Sequence, residues 1–295
     1  MMPLTRRSFL KIGSGSLAAV ALSERTSRVY GQPGRARFKI GVPDWSLRQE
    51  GKLDAIALAK RIGFDGLQVS LGVGTDRLPL SDAALQRAYL DEARRVNLPL
   101  ASVCLNILHR NVLKSDPLAV RWVADSIPIA QALGVRVILL PFFGKGALTM
   151  QAEMDAVADR LRELAPAAEK AGVILGLEDT ISARDNVRIM ERAKSPAVLT
   201  YYDVGNSTNN GFYVVEEIRW LGRTRICEVH LKDNPHFLGQ GSIDFPAVVD
   251  ALADIEFDAW AELEADSPSG SVERDMATNL GYIRGLVARR HERGV

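Results

Sequence analysis

From residue 38 onward, short apolar runs alternate with longer helical patterns, and this alternation constrains the fold more than any other feature. The runs are Phe38–Val42, Gly66–Ser70, Pro99–Leu105, Val135–Leu140, Val173–Glu178, Val198–Asp203, Ile226–Leu231 and Ala259–Glu264. Each has strand length and is too short for most helices. Helical patterns fill the gaps, at about 53–62, 81–96, 115–133, 149–171, 184–194, 213–221, 244–254 and 271–290. Val135-Arg136-Val137-Ile138-Leu139-Leu140 is apolar on both faces, as a parallel strand under helices should be. Ser81 is expected to cap the second helix, and Ser182 with Asp185 to form a capping box. Gly63, Gly134 and Gly172 stand where helices should stop.

Strict alternation leaves two architectures, a doubly wound sheet or a closed barrel. Eight units in about 260 residues favour the barrel. A doubly wound sheet would carry a glycine-rich phosphate turn after its first strand. This chain has Pro43-Asp44-Trp45-Ser46 there, and no phosphate-loop motif elsewhere. No linker or internal repeat divides the body. The expected fold is α/β, a (β/α)8 TIM barrel with a closed parallel eight-stranded sheet, over residues 32–295.

The 295 residues include 37 basic and 36 acidic side chains, a formal net charge of +1. That balance argues against nucleic acid as a partner. A chain of this length can bury enough surface to fold without a staple, so a metal site in it would serve function. Cys104 and Cys227 each sit in an apolar strand-like run and are expected as buried free thiols.

The N-terminus has the three-part form of an export signal. Thr5-Arg6-Arg7-Ser8-Phe9-Leu10-Lys11 precedes a short apolar stretch, Ile12 to Leu22, diluted by Gly13, Ser14, Gly15 and Ser16. The motif resembles the twin-arginine signal read by the twin-arginine translocation machinery. Residues 1–31 are therefore expected to be a leader, cut near Ala21-Leu22-Ser23 or Gly31, and the protein to be periplasmic or in the cell envelope. No later apolar stretch approaches the length of a membrane span, so stable insertion is not expected. Nothing in the sequence fixes an oligomeric state.

Side chains at the C-terminal ends of barrel strands converge on one mouth. Four successive expected strands bring Glu178, Asp203, His230 and Glu264 to that rim. Any one carboxylate there reads equally as a helix cap or an ion-pair partner. The joint set, three carboxylates and one imidazole, suits one divalent ion (Mn, Mg, Co or Zn). Such an ion would also relieve repulsion among the carboxylates.

These residues lie in segments that resemble the xylose isomerase-like TIM barrel superfamily, in particular its sugar phosphate isomerase/epimerase branch. The carriers are Leu-Gly-Leu-Glu178-Asp, Tyr-Asp203-Val-Gly-Asn206, Val-His230-Leu-Lys232-Asp233, the Gly239-Gln240-Gly241 turn through Phe245, and Phe257 to Glu264. The resemblance implies that Glu178, Asp203, His230 and Glu264 hold a catalytic metal, with Glu178 and Glu264 acting as acid and base. It implies proton transfer at a carbon beside a carbonyl, through an enediolate. Asn206 and Lys232 resemble substrate contacts. His109 and His236 are candidates for sugar hydroxyls, and Trp45 for stacking on a sugar face. The sequence departs from the pattern at Gln68, where many relatives carry glutamate, and at Gln240 and Ala259. Glu262, two residues before Glu264 on the same strand face, is a rival ligand.

The expected activity is that of an exported, metal-dependent sugar or keto-sugar isomerase or epimerase. A keto-sugar lyase or dehydratase on the same site, and a non-catalytic sugar-binding barrel, are the alternatives. An endonuclease of the same superfamily is disfavoured by the four histidines and the near-zero charge.

Overall fold

Eight parallel strands pair in chain order and close on themselves in the computed structural model, which describes residues 37–293. They are β1 (Lys39–Pro43), β2 (Gly66–Ser70), β3 (Leu100–Cys104), β4 (Val137–Pro141), β5 (Ile174–Glu178), β6 (Val198–Asp203), β7 (Ile226–Leu231) and β8 (Trp260–Leu263). β8 returns to β1 through the register Lys39↔Trp260 and Ile40↔Ala261. The described helices are α1 (Asp54–Ile62), α2 (Ala83–Val96), α3 (Pro117–Leu133), α4 (Gln151–Ala171), α5 (Ala183–Ala193), α6 (Val204–Asn209), α7 (Val214–Leu221), α8 (Phe245–Asp254) and α9 (Val272–Arg293). The expected TIM barrel is the observed one. The Thr5–Lys11 motif and its leader lie outside the described residues. Among those residues, no helix is long and apolar enough to cross a membrane.

Local chemistry accounts for most boundaries. Gly63, Gly134 and Gly172 end α1, α3 and α4 with φ of 108°, 72° and 68°, a region that side chains with a Cβ rarely adopt. Ser81 does not cap α2. Asp82 does, accepting from Ala84 N at 2.7 Å and Leu85 N at 3.2 Å, while the Ser81 hydroxyl donates to Leu78 O. The tight turn Pro79–Ser81 uses up Ser81 and leaves the next residue as the cap. Ser182 does cap α5, accepting from Asp185 N at 3.1 Å. The Asp185 carboxylate takes the Ser182 hydroxyl at 2.7 Å, a variant of the expected box. α6 was not expected, because Val-Gly-Asn-Ser-Thr-Asn is too short and polar to show a helical period.

The main apolar core lies between sheet and helices, with Ile138, Leu140, Leu175, Leu177, Val229 and Leu231 from the strands. Cys104, Val137, Leu139, Tyr201 and Cys227 form a smaller separate cluster. Both cysteines are buried and free, as expected. The β6–β7 register steps from Thr200↔Ile226 to Tyr201↔Glu228, so Cys227 is an extra residue on β7. Such a bulge re-aims the side chains beyond it. Beyond the bulge the register pairs Asp203 with His230, and the side chains of both reach the mouth.

Candidate active site

Glu178 closes β5, Asp203 closes β6, His230 lies near the end of β7 and Glu264 follows β8 directly. A parallel barrel puts all four at one mouth. Each offers a ligand atom, and these atoms lie within 4.8 Å of one another. His230 Nδ1 is 2.8 Å from Glu178 Oε1, 3.6 Å from Glu264 Oε2 and 3.7 Å from Asp203 Oδ2. Three carboxylates and one imidazole nitrogen, spaced this closely, fit one divalent cation of the Mn, Mg, Co or Zn type.

Asp203 serves two ends at once. Its Oδ1 accepts from Asn206 N at 2.8 Å and so caps α6, while Oδ2 faces the site. Lys232 Nζ lies 2.7 Å from that Oδ2 and 2.6 Å from Glu264 Oε2. Gly205 makes this reach feasible, since a Cβ there would overlap the Lys232 stem. The other Glu264 oxygen, Oε1, accepts from Trp45 Nε1 at 2.9 Å. His230 is held from behind: its Nε2 is 3.0 Å from Gln68 Oε1, and the Tyr201 ring lies edge-on at 4.6 Å.

The charges of the site are interdependent. Burial pushes the Glu178 carboxyl up to about 7, against the pull of His230. Burial also works against ionised Asp203, but the Lys232 ammonium and His230 outweigh it and hold that carboxyl well below the usual range. Burial alone would lower His230; the Glu178 and Glu264 charges reverse this and raise it well above its ordinary value. Lys232 is likewise raised, its burial outweighed by Asp203 and Glu264. The site therefore draws positive charge toward its carboxylates.

A cleft of about 470 Å³ opens onto these groups, lined in part by Trp45, His109, Phe143, Glu178, Asn206, Lys232 and Glu264. His109 and Phe143 stack with centroids 6.3 Å apart. His236 is not in this cleft. It lines a neighbouring cavity of about 500 Å³ with Gly205, Gln240 and Gly241, and Lys232 borders both. Glu50, Asn106 and Arg110 also line the cleft and were missed in the sequence. They sit on the loops after β1 and β3, so the rule that strand-end loops build the mouth was the signal available. Asn106 Nδ2 donates to Glu50 Oε1 at 3.0 Å. Asp44, buried at the end of β1, accepts from Ser70 N, Ser70 Oγ and Gly51 N, which anchors the loop carrying Trp45.

Glu262 does not join the four. It pairs in register with His230 and Gly41, is fully buried, and has no hydrogen-bond partner on either oxygen among the described residues. A Cβ at Gly41 would overlap its carboxyl, so glycine there makes its room. Burial, then nearby Glu228, pushes Glu262 well above the carboxylate range, and burial pushes Glu228 up to about 8.

Residues 56–286 match the model of the xylose isomerase-like TIM barrel family. The chain belongs to that family. Its relatives among characterised proteins include the 2-epi-5-epi-valiolone 7-phosphate 2-epimerase of Actinoplanes sp., 31% identical over 67% of this chain and 73% of that protein. An L-ribulose-5-phosphate 3-epimerase of Escherichia coli is 27% identical over 75% of this chain and 86% of the relative. Among solved structures, D-psicose 3-epimerase from Clostridium cellulolyticum H10, crystallised with D-tagatose, superposes with a TM-score of 0.72. It is 18% identical over 85% of this chain and 99% of that one, a likeness of fold. Within this xylose isomerase-like barrel, the candidate ligands stand on four consecutive βα units, β5 to β8.

Proposed function

We propose that this protein is a metal-dependent epimerase or isomerase of a ketose or keto-sugar, exported to the cell envelope. The observation that carries the reading is the convergence of Glu178, Asp203, His230 and Glu264 within 4.8 Å at the barrel mouth. The named relatives are epimerases, two of them named for phosphorylated substrates, of which L-ribulose 5-phosphate is a ketose phosphate. A divalent cation held by the four residues would supply charge for an oxyanion developing on the substrate.

The remaining chemistry belongs to the side chains. Inversion beside a carbonyl needs one group to remove a proton and another to return it on the opposite face. Glu178 and Glu264 are the two carboxylates that both meet His230 and line the cleft. Glu178, beside His230 and open to the cleft, is placed to exchange a proton with a substrate carbon. Trp45, His109 and Phe143 supply apolar walls for a sugar ring, and Asn106, Asn206 and Lys232 supply polar groups for its oxygens. His236, in the adjoining cavity, would meet a substrate extending past Lys232. The twin-arginine motif at Thr5–Lys11 supports residues 1–31 as a leader and residues 32–295 as the exported domain.

The test uses protein lacking the leader, reconstituted with Mn²⁺ and screened on ketoses in deuterated water. About one metal ion per chain, lost in His230→Ala, is expected, with solvent deuterium entering the carbon that inverts. Glu178→Gln and Glu264→Gln should each lower turnover by about 10²–10⁴-fold. If both variants keep full exchange on the true substrate, the acid–base assignment is wrong. For export, Arg6→Lys with Arg7→Lys should leave the protein in the cytoplasm; unchanged fractionation would dismiss the twin-arginine route.

A further inference from the structure

A metal-ligating imidazole must present a bare nitrogen, and its other nitrogen decides which one that is. Here Nδ1 of His230 faces the three carboxylates and Nε2 faces Gln68 Oε1 at 3.0 Å. Gln68 is fully buried, and its amide has one acceptor and two donors. Its Nε2 is 3.0 Å from both Ser102 Oγ and Tyr201 Oη. These two hydroxyls in turn hydrogen-bond the buried Glu228 carboxyl on β7.

The contacts of the Gln68 amide set the direction of this chain. Each hydroxyl has a single proton. The other Glu228 oxygen, Oε2, has no partner among the described residues, so Ser102 and Tyr201 meet Oε1 alone. Because Gln68 Nε2 donates to both hydroxyls, they turn their own protons toward Glu228. Their lone pairs accept the two Gln68 N–H bonds, and the Gln68 carbonyl is left to accept from His230. The reversed amide would spend those protons on Gln68, leave Glu228 Oε1 without donors, and put an N–H against His230 Nε2. The His230 proton would then sit on Nδ1, facing the carboxylates, and block ligation.

We propose that Gln68 is a positioning residue, oriented by Glu228 through Ser102 and Tyr201, that holds the proton of His230 on Nε2 and keeps Nδ1 for the metal. The inference rests on the metal-site reading above and extends it to a chain that runs from Glu228 on β7 through Tyr201 on β6 and Ser102 on β3 to Gln68 on β2. It also gives the buried Glu228 carboxyl a role away from the cleft. Gln68 itself touches no other member of the ligand set among its hydrogen bonds.

The test is ¹⁵N NMR of histidine-ring-labelled protein, metal-free and Zn²⁺-loaded, with His230→Ala to assign the resonance. A proton on His230 Nε2 in both states is expected, with Nδ1 bare in the zinc form. Gln68→Met, which keeps the length but removes acceptor and donors, should weaken Zn²⁺ binding by about 10–100-fold. Gln68→Glu, which restores an acceptor toward Nε2, should recover most of that loss. A bare Nε2 in wild-type protein overturns the proposal, as does a Gln68→Met protein with unchanged zinc affinity. Should Gln68→Met fail to fold, Ser102→Ala with Tyr201→Phe, which removes both hydroxyls that orient the Gln68 amide, should weaken Zn²⁺ binding in its place, and an unchanged affinity overturns the proposal. Wild-type protein that binds no zinc would sink the metal-site reading, whereas zinc binding that Gln68→Met leaves unchanged sinks this proposal alone.

Discussion

Asp44 gives a test that requires no substrate. Its carboxyl is fully buried at the end of β1, and accepts from Ser70 Oγ at 2.6 Å, Ser70 N at 2.9 Å and Gly51 N at 3.0 Å. Burial outweighs these bonds and raises the carboxyl from 3.8 to about 6. The folded value lies above the unfolded one, so the unfolded chain gives up this proton first. The stability contributed by Asp44 is therefore full below pH about 3.8 and is lost as pH rises through about 6. Two units of difference correspond to about 3 kcal/mol in all, of which about 2 kcal/mol falls between pH about 4.5 and about 8. Asp44→Asn keeps the shape. Its carbonyl can take the Ser70 and Gly51 N–H groups, and its amide can donate to Ser70 Oγ. Urea unfolding of both proteins across that range cancels every other titrating group. The variant should gain about 2 kcal/mol on the wild type as pH rises. A constant difference would refute the reasoning that burial, rather than hydrogen bonding, dominates at this carboxyl.

Two further expectations concern the site and the scaffold. Trp45→Phe keeps an aromatic wall but removes the indole N–H held by Glu264 Oε1. A hydrogen bond to a carboxylate is worth about 1.5–3 kcal/mol, so Mn²⁺ affinity should fall about 10–100-fold while KM for the sugar moves less. Equal affinities in a metal titration would mean that Glu264 is oriented without Trp45. Glu153 caps α4 by accepting from Thr149 N and Met150 N, and pairs with Lys114 at 2.7 Å. The Lys114 bond, then the backbone ones, lower its carboxyl from 4.5 to about 2. Its contribution is present above pH about 4.5 and lost as pH falls toward 2. Glu153→Gln should cost about 1–2 kcal/mol at neutral pH, a gap that thermal melts should show closing in acid.

The strands were legible because a parallel strand under helices is buried on both faces and reads as an unbroken apolar run, as in Val137–Pro141. The helix ends at Gly63, Gly134 and Gly172 were legible because a left-handed residue at a C-cap favours glycine. The mouth was legible at Glu178, Asp203, His230 and Glu264 because strand ends in a closed parallel barrel share one rim. The polar α6 and the Cys227 bulge were not, since neither carries a period of its own. Glu50 and Asn106 were missed for a related reason, as loop residues show no pattern until their loops are folded against each other.

The choice between Glu262 and Glu264 shows where sequence stops. Both are glutamates on one strand face by the period of two. By itself the sequence determined the order of elements, the faces they bury and the four strand ends that carry ligand-type side chains, because those depend on local periodicity. Only the tertiary structure decided that Glu264 reaches the cleft while Glu262 is sealed beside Gly41. It alone also decided that Gln68 meets His230 across 162 residues of chain. Which oxygen or nitrogen faces which depends on barrel closure and on the bulge in β7, and both are set by contacts between distant segments.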